Sequence, residues 1–223
     1  MKVEIWSDVV CPWCYIGKRR FQRAVTDTGL GDRIEVTWRS FQLNPAHPRG
    51  LRRRHDEYLA EKLGRSVDEV HRLDQQVTAL AAAEGLAYDF ERYTVVNTFD
   101  AHRVAHLGAA QGHGDAIQER LLRAQLVEGE VLDDPATLVR LAGEVGLGAS
   151  DVEGVLAGDD YTAEVETDLR TAAELGINGV PFFVIDRAIG VSGAQPPEVF
   201  ARALTLAADP AALAAAATGA PTG

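Results

Sequence analysis

The sequence predicts an α/β fold in which a small unit of strands and helices is interrupted by a large all-helical insertion. A strand pattern followed by a helix pattern opens the chain, and a second strand pattern ends near residue 41. Strand patterns then return only after residue 180, and helical patterns fill the region between. The predicted order is therefore βαβ, a helical insertion, and ββα.

The first strand is predicted over residues 2–6, which mix β-branched and aromatic residues. From Tyr15 onward, apolar residues recur at helical spacing until Gly29 closes the segment. The second strand is predicted over residues 34–41, where apolar and polar residues alternate. The chain thus opens with a strand, a helix and a second strand.

Helix signals fill the insertion. Ser66 and Glu69 have the spacing of a capping box, which predicts a helix that begins there and runs through Ala83. Asp134 is placed to cap another helix over residues 135–145. Further helices are predicted over residues 97–110, 115–127 and 162–175.

Strand patterns return over residues 181–186 and 188–191, and Pro196 opens a last amphipathic helix. We expect the segments at the two ends of the chain to form one discontinuous domain. The Ala-rich tail has two interpretations, a helical extension or a frayed end. The predicted units are residues 1–50 with 178–208 for the discontinuous domain, 51–177 for the helical insertion and 209–223 for the tail.

The two cysteines of the chain both lie in the segment Cys11-Pro12-Trp13-Cys14, between the first strand and the first helix. Residues three apart in the first turn of a helix are neighbours, so this pair can close on itself. Cys11 would lie at the helix N-terminus, where free N–H groups and the helix dipole favour a thiolate. Pro12 suits this turn because its missing N–H is no loss there. The pattern is typical of a redox-active dithiol.

Two other interpretations of the pair remain open. A CxxC is also half of a structural zinc site, and His102 and His106 are the obvious candidates to complete one. The pair could also be inert buried thiols, although that would explain neither the proline nor the helix start. We prefer the redox interpretation and expect no metal.

Composition limits the classes of function. The chain has 223 residues, of which 46% are hydrophobic, so it can bury a substantial core. A formal net charge of −11 argues against binding to nucleic acid. Arg49, Arg52, Arg53 and Arg54 form a local basic run, which we interpret as a solvated segment, with recruitment of an acidic partner as the alternative.

The sequence also indicates a compartment. It contains no apolar segment of membrane-spanning length, and its first residues do not match a secretory signal. Both cysteines lie in the motif, which suits a reducing compartment. We therefore expect a cytoplasmic location and no contact with a membrane.

In its cysteine motif and its order of elements, the chain resembles the DsbA family of thiol–disulfide oxidoreductases, and especially its cytoplasmic FrnE-like branch. The resemblance covers residues 2 to about 208 and implies a thioredoxin-like fold. Four segments carry it: Ser7-Asp8-Val9-Val10-Cys11-Pro12-Trp13-Cys14-Tyr15-Ile16-Gly17, Asn97-Thr98-Phe99-Asp100-Ala101-His102-Arg103, Gly179-Val180-Pro181-Phe182-Phe183-Val184 and Ser192-Gly193-Ala194-Gln195-Pro196.

The resemblance implies that Val180-Pro181 is a cis-proline loop that faces the dithiol. The alternative is an ordinary trans proline at the first position of a strand. The edge beside a cis proline of this kind can pair with an extended substrate backbone. The resemblance also implies three residues that help to line the cleft opposite the dithiol, namely Asn97, Asp100 and His102.

We assign hypothetical roles to the residues around the motif. Cys11 is the attacking thiolate and Cys14 the resolving thiol. Trp13 occupies a tuning position between them, with simple packing at the rim as the alternative. Glu4 is a candidate proton acceptor beneath Cys14, as in many thioredoxin-like proteins, and a solvent-facing strand residue is the competing interpretation.

The resemblance implies a thiol–disulfide oxidoreductase whose redox-active disulfide, Cys11–Cys14, takes the place of a cofactor. The expected partners are thiol or disulfide substrates, either proteins or small molecules, with glutathione among them. One alternative is a glutathione-dependent isomerase or kappa-class glutathione transferase, although those proteins carry a serine where this chain has Cys11. Another alternative is a redox-regulated chaperone that binds unfolded chains around Trp13 and Phe41.

Overall fold

The computed structural model of the protein describes residues 1–209 and 211–214. Its main elements follow the predicted order. The strands are β1 (Lys2–Ser7), β2 (Glu35–Ser40), β3 (Arg53–Arg54), β4 (Thr94–Val95), β5 (Phe182–Ile185) and β6 (Ile189–Ser192). The helices are α1 (Pro12–Thr28), α2 (His55–Leu63), α3 (Val67–Ala83), α4 (Phe99–Ala110), α5 (Gly114–Arg123), α6 (Pro135–Glu144), α7 (Ala149–Ala157), α8 (Thr162–Glu174) and α9 (Pro197–Ala208).

A four-stranded sheet with the order β2-β1-β5-β6 forms the centre of the molecule. β1 runs parallel to β2, and β5 and β6 continue the sheet in antiparallel pairs, with Ile5 opposite Phe183. The parallel pair requires a crossover, which α1 supplies. The sheet therefore assembles from both ends of the chain, and residues 51–177 leave and return between β2 and β5. This confirms the predicted fold class, while the exact domain boundaries stay a prediction.

The insertion differs from the prediction in detail. It is not all-helical, because β3 and β4 form a short antiparallel pair in which Arg53 lies opposite Val95. Two-residue strands have no periodicity that a sequence pattern could show. The helices α2 and α7 were not predicted either. Each has nine residues and only two buried positions, which is too few to mark an apolar stripe.

One face of the sheet is apolar. Val3 and Ile5 of β1 are buried there with three aromatic rings, from Phe21 on α1, Phe183 on β5 and Phe200 on α9. The ring centroids of Phe183 and Phe200 are 4.6 Å apart, and that of Phe21 lies 5.4 Å from Phe183. This aromatic cluster fixes α1, which carries the cysteine motif, against the sheet.

The opposite face of the sheet combines apolar and charged groups. Trp6 is fully buried, and its indole Nε1 donates to the backbone oxygen of Asp168 on α8. The Asp168 carboxylate accepts hydrogen bonds from Arg39 at 3.1 Å and from the backbone N–H of Ser40 at 2.8 Å. Asp168 therefore attaches the insertion to the edge strand β2.

The helices α4 to α7 share a second apolar core. Fully buried residues of this core include Val104, Ile117, Leu121 and Leu141. Val9, which lies just before the cysteine motif, is also fully buried in it. The loop between β1 and α1 is thereby held by the insertion as well as by the sheet.

Three sequence predictions concern the surface and the end of the chain. No helix among the described residues is long and apolar enough to cross a bilayer. Residues 210 and 215–223 of the predicted Ala-rich tail lie outside the described residues.

Every arginine of the basic run has a carboxylate partner, which favours the interpretation as a solvated segment. The pairs are Arg49 with Asp100, Arg52 with Asp133, Arg53 with Glu61 and Arg54 with Asp56.

Candidate active site

Cys11 is the N-cap of α1. Its backbone is extended, with φ −89° and ψ 114°, and its N–H donates to the carbonyl of Asp8 at 3.0 Å. Pro12 is the first helical residue, and the first turn of α1 contains no acidic residue. The positive end of the helix dipole therefore lies beside the Cys11 sulphur without a carboxylate of the same turn to oppose it.

The Cys11 sulphur faces the loop that precedes β5. Its thiol lies 3.5 Å from the carbonyl oxygen of Val180 and donates to it. The Val180–Pro181 peptide bond is cis, as the resemblance implies, and the trans alternative does not describe this chain. The Pro181 carbonyl in turn accepts the Gly193 N–H at 2.8 Å, which connects this loop to the end of β6.

Gly17 allows α1 to approach the same loop. A Cβ atom added at Gly17 would lie 2.8 Å from Cγ of Pro181 and 3.5 Å from Cβ of Ala194. The first of these distances is below any normal carbon–carbon contact. A side chain at this position would push the motif helix away from the cis-proline loop, so the close approach requires glycine.

Both cysteines are free thiols in one buried cluster, with Cys11 4% exposed and Cys14 1% exposed. The Cys11 sulphur faces the Val180 carbonyl, and the Cys14 sulphur lies one helical turn deeper in α1. Burial raises the pKa of the Cys14 thiol well above its usual value, and the neighbouring Cys11 raises it further. Hydrogen bonds from the Ser7 side chain and the Asp8 backbone act in the opposite direction and lower this pKa. The buried thiol is therefore protonated in the resting dithiol, which suits the resolving role.

The structure does not support Glu4 as the proton acceptor beneath Cys14. Glu4 lies on the sheet face opposite α1, where its carboxylate accepts hydrogen bonds from Arg39 at 2.6 Å and from Arg187 at 3.1 Å. Burial alone would raise the Glu4 pKa, but the two guanidinium groups outweigh it and the pKa is lowered. Glu4 is not solvent-facing either, because it is 7% exposed. It is a structural ion-pair residue.

The side chain of β1 that lowers the pKa of Cys14 is that of Ser7. Side chains of a strand alternate between the two faces, so Ser7 shares the face of Val3 and Ile5, whereas Glu4 points the other way. The Ser7 hydroxyl also accepts a hydrogen bond from Gln118 on α5 at 3.1 Å. Sequence analysis gave neither residue a role, and nothing local marks Gln118, because it lies 111 residues from Ser7 along the chain.

Of the three predicted cleft residues, His102 contacts the surroundings of the motif. Its Nε2 lies 3.3 Å from Oδ1 of Asp8, and both side chains are buried. Asp8 also accepts the Leu43 N–H at 2.8 Å, so it joins the insertion to the loops beside the dithiol.

The other two residues of that segment make different contacts. Asn97 donates to the carbonyl of His47 and accepts the Phe99 N–H at the start of α4. Asp100 forms ion pairs with Arg49 and Arg103. Both contacts are structural, and the described contacts do not bring either side chain to the dithiol.

The zinc alternative requires that His102 and His106 complete a ligand set. Instead, His102 pairs with Asp8, while Nε2 of His106 lies 3.0 Å from Asp168 and 3.1 Å from the Ser40 hydroxyl. Within the described ranges, no group of three or more His, Cys, Asp or Glu side chains is placed to hold a metal ion.

Trp13 and Phe41 lie in different environments. Trp13 is 39% exposed, which makes it one of the most exposed large apolar side chains of the described chain. Phe41 is partly buried and, like Val180 and Phe182, packs against the cluster that contains Trp6. Trp13 is therefore open to a partner, whereas Phe41 contributes to the packing of that cluster.

Two tyrosines of the insertion hold the backbone of the motif, and sequence analysis did not identify them. The Tyr88 hydroxyl donates to the Pro12 carbonyl at 2.6 Å, and the Tyr93 hydroxyl donates to the Val10 carbonyl at 2.5 Å. Burial raises the pKa of both phenols, so both stay protonated as donors. The insertion thus fixes the main chain on either side of Cys11.

Comparison with known proteins identifies the family of this chain. Residues 2–205 match the DSBA-like thioredoxin domain family. The chain belongs to that family. A solved structure of a probable DsbA oxidoreductase from Streptomyces coelicolor is 44% identical to this DsbA-family protein, with a TM-score of 0.90 over 93% of this chain and 89% of the other.

Two more distant proteins are also similar to this DsbA-family protein. The uncharacterized protein YwbO of Bacillus subtilis is 26% identical over 215 residues, which are 91% of this chain and 95% of YwbO. The cytosolic disulfide reductase DsbM from Pseudomonas aeruginosa is 20% identical, with a TM-score of 0.61 over 92% of this chain and 97% of DsbM. A structure of DsbM with GSH is similar to the same extent. At this identity, the DsbM structures show the fold alone.

The family assignment confirms the predicted resemblance and the thioredoxin-like fold with its helical insertion. This protein is a thiol–disulfide oxidoreductase of the DsbA family.

Proposed function

We propose that this DsbA-family protein exchanges disulfides through a single dithiol, Cys11 and Cys14. The observation that carries the proposal is the position of the Cys11 sulphur, at the N-terminus of α1 and 3.5 Å from the carbonyl of Val180 in the cis-proline loop. Cys14 lies one turn further along the helix, and both thiols are buried. We assign the attack on substrate to Cys11 because its sulphur faces the cis-proline loop, and the resolving step to Cys14.

The chemistry is two successive thiol–disulfide exchanges. The Cys11 thiolate attacks a substrate disulfide, forms a mixed disulfide and releases one substrate sulphur as a thiolate. Cys14 then loses its proton and attacks the Cys11 sulphur, which forms the Cys11–Cys14 disulfide and releases the second substrate sulphur. The substrate disulfide gains two electrons, and the protein dithiol loses two. Run in reverse, the same steps oxidise a substrate dithiol.

The substrate is a thiol or disulfide compound, either a protein or a small molecule. An extended substrate backbone can pair with the main chain beside Pro181, next to the exposed Trp13. Glutathione is a candidate partner, and the structure of DsbM with GSH supports this because DsbM shares the fold. The cytosolic location of DsbM likewise supports a cytoplasmic location, together with the use of both cysteines in the motif. Membership of the FrnE-like branch stays part of this proposal.

Trapping of the mixed disulfide tests the proposal. We expect Cys14→Ser to retain a covalent adduct on Cys11 after incubation with oxidised glutathione or with a disulfide-containing protein, because the resolving thiol is absent. Cys11→Ser is the matched control and should form no such adduct and show no disulfide exchange. Mass analysis of the trapped species separates protein substrates from small thiols. Wild-type exchange activity in Cys11→Ser would refute the proposal.

The same variants distinguish the alternatives. A kappa-type glutathione transferase would bind reduced glutathione saturably in Cys11→Ser and would still conjugate chlorodinitrobenzene. A redox-regulated chaperone would suppress aggregation even when both cysteines are replaced. We expect neither result, because the buried Cys14 beside Cys11 has no role in either alternative.

A further inference from the structure

Two tyrosines from one irregular segment, between α3 and β4, contact the main chain on both sides of the attacking cysteine. The Tyr88 hydroxyl donates to the Pro12 carbonyl at 2.6 Å, and the Tyr93 hydroxyl donates to the Val10 carbonyl at 2.5 Å. These carbonyls belong to the residues immediately after and before Cys11. Both tyrosines are buried in the same apolar cluster as Cys11. The insertion therefore places two donors at the motif.

The segment that carries the two tyrosines is held by the π-helical turn Ala124–Glu128. The Leu126 carbonyl of this turn accepts the Asp89 N–H at 2.9 Å. The Val127 carbonyl accepts a hydrogen bond from the Arg92 guanidinium at 3.2 Å, and Arg92 also donates to the Asp89 carboxylate at 2.7 Å. π-Helical turns occur often at functional sites. The two donors are thus fixed in place by the rest of the insertion.

The direction of these hydrogen bonds gives them an electrostatic effect. A carbonyl oxygen only accepts, so each phenol donates and points the positive end of its O–H dipole at the motif. Fixed dipoles act more strongly on a charge in a buried site than in water, and Cys11 is 4% exposed. Cys11 is negative as a thiolate and neutral in a disulfide. The two donors therefore favour the reduced form of the motif.

The interaction is also visible from the side of the tyrosines. Burial is the main cause that raises the pKa of the Tyr88 and Tyr93 phenols, and negative charge on Cys11 raises the pKa of both further. A charge on Cys11 thus acts on both hydroxyl groups. By the same interaction, the protonated hydroxyl groups act on that charge.

We propose that Tyr88 and Tyr93 are positioning residues that stabilise the thiolate form of Cys11 through the carbonyls of Val10 and Pro12, and that they make the dithiol more oxidising. This inference rests on the proposed function, because it requires that Cys11 and Cys14 exchange with disulfides. A merely structural role would stabilise the dithiol and the disulfide equally. The reduction potential depends only on the difference between these two forms, so it separates the two roles.

Equilibration with mixtures of reduced and oxidised glutathione measures this potential. The protein dithiol gives two electrons and two protons to oxidised glutathione. The Cys11–Cys14 bond forms, the glutathione disulfide breaks, and two molecules of reduced glutathione are released. Alkylation of the remaining thiols and mass analysis give the fraction of reduced protein at each ratio.

We expect Tyr88→Phe and Tyr93→Phe each to shift the equilibrium toward the protein disulfide by about two- to fivefold, the effect of one modest hydrogen bond. This shift makes the potential about 10–20 mV more negative. The double variant should show about the product of the two shifts. Tyr58→Phe is the matched control, because the Tyr58 hydroxyl accepts from Asn44 at 2.8 Å and donates to no group of the motif among the described contacts. It should leave the potential unchanged.

Incorporation of 3-fluorotyrosine at position 88 gives a second test that keeps the ring and its hydroxyl. Fluorine makes the phenol a stronger donor, so the potential should become less negative than that of wild type. This protein decides the question if the phenylalanine variants do not fold, and an unchanged or more negative potential then overturns the inference.

The outcomes separate this inference from the proposed function. If wild type forms the Cys11–Cys14 disulfide but Tyr88→Phe and Tyr93→Phe lower only the unfolding midpoint and leave the potential unchanged, the tyrosines have a structural role alone and the inference is wrong. If wild type forms no such disulfide at any glutathione ratio, the proposed function itself fails.

Discussion

One face of the central sheet packs against α1 and α9 through Phe21, Phe183 and Phe200. On the other face, Arg39 of β2 forms ion pairs with Glu4 of β1 and with Asp168 of α8. The aromatic face is stabilised by burial of apolar area, which does not depend on pH. The ion-pair face depends on charge, and its partners include Arg187, which is exposed to solvent. The two faces should therefore respond differently to mutation, acid and salt.

The difference between the two faces also sets the environment of the dithiol. Because side chains of β1 alternate between the faces, Ser7 lies on the aromatic side with α1, and Glu4 lies on the ion-pair side. The carboxylate that the sequence offered as a proton acceptor is thereby separated from Cys14. The polar group that β1 carries on the side of α1 is instead the neutral hydroxyl of Ser7. The charged residues of the opposite face join the insertion to the sheet.

The largest effect on stability should come from the aromatic face. Phe200 is fully buried and contacts the rings of both Phe21 and Phe183. We expect Phe200→Ala to lower the free energy of unfolding by about 3–5 kcal/mol, because it removes the ring and leaves a cavity. Urea unfolding at pH 7 measures this loss. Leu175→Ala, at a position that is 53% exposed, is the control and should change stability by less than about 0.5 kcal/mol.

On the ion-pair face, Asp168→Asn should have the next largest effect. The substitution keeps the shape of the side chain but removes the carboxylate of His106 and one of the two carboxylates of Arg39, which keeps Glu4. We expect a cost of about 2–4 kcal/mol, somewhat below the loss for a fully buried pair that loses its one partner. The sharpest test of the comparison is the double variant with Phe200→Ala. Since the two side chains share no partner, the two losses should add to within about 0.5 kcal/mol. A larger interaction energy would show that the faces are coupled.

The smallest of these effects should come from Glu4→Gln, and it should depend on pH. At pH 7 we expect a loss of about 1.5–3 kcal/mol, since hydrogen bonds to charged groups are replaced by weaker ones. The folded protein holds the Glu4 pKa below its unfolded value, so its stabilising effect is complete above the unfolded pKa. This effect is lost as the pH falls through the lower folded pKa.

Urea unfolding of wild type and Glu4→Gln at a series of pH values checks this sign. The difference between the two proteins should shrink below about pH 4 and vanish in stronger acid. The rate of disulfide exchange should be the same in both proteins at pH 7. Slower disulfide exchange in Glu4→Gln than in wild type at pH 7 would return Glu4 to the mechanism.

Most of the main elements could be predicted because their causes are local. β-Branched and aromatic residues marked β1, and alternation of apolar and polar residues marked β2. The capping box of Ser66 and Glu69 is present at the start of α3. The short helices α2 and α7 could not be predicted, because nine residues with two buried positions show no clear stripe. The π-helical turn Ala124–Glu128 interrupts what the pattern indicated as one helix over residues 115–127.

The sequence by itself determined the dithiol, its place at the start of a helix and the order of strands around it, since spacing along the chain sets these features. Only the tertiary structure decided which side chains surround the two sulphurs. Tyr88 and Tyr93 reach the motif across 76 and 83 residues, and Gln118 reaches Ser7 across 111. The partners of Glu4 were decided in the same way, because Arg187 lies 183 residues further along the chain. Periodicity shows which face of an element is buried, but only the packing of distant elements determines which groups meet there.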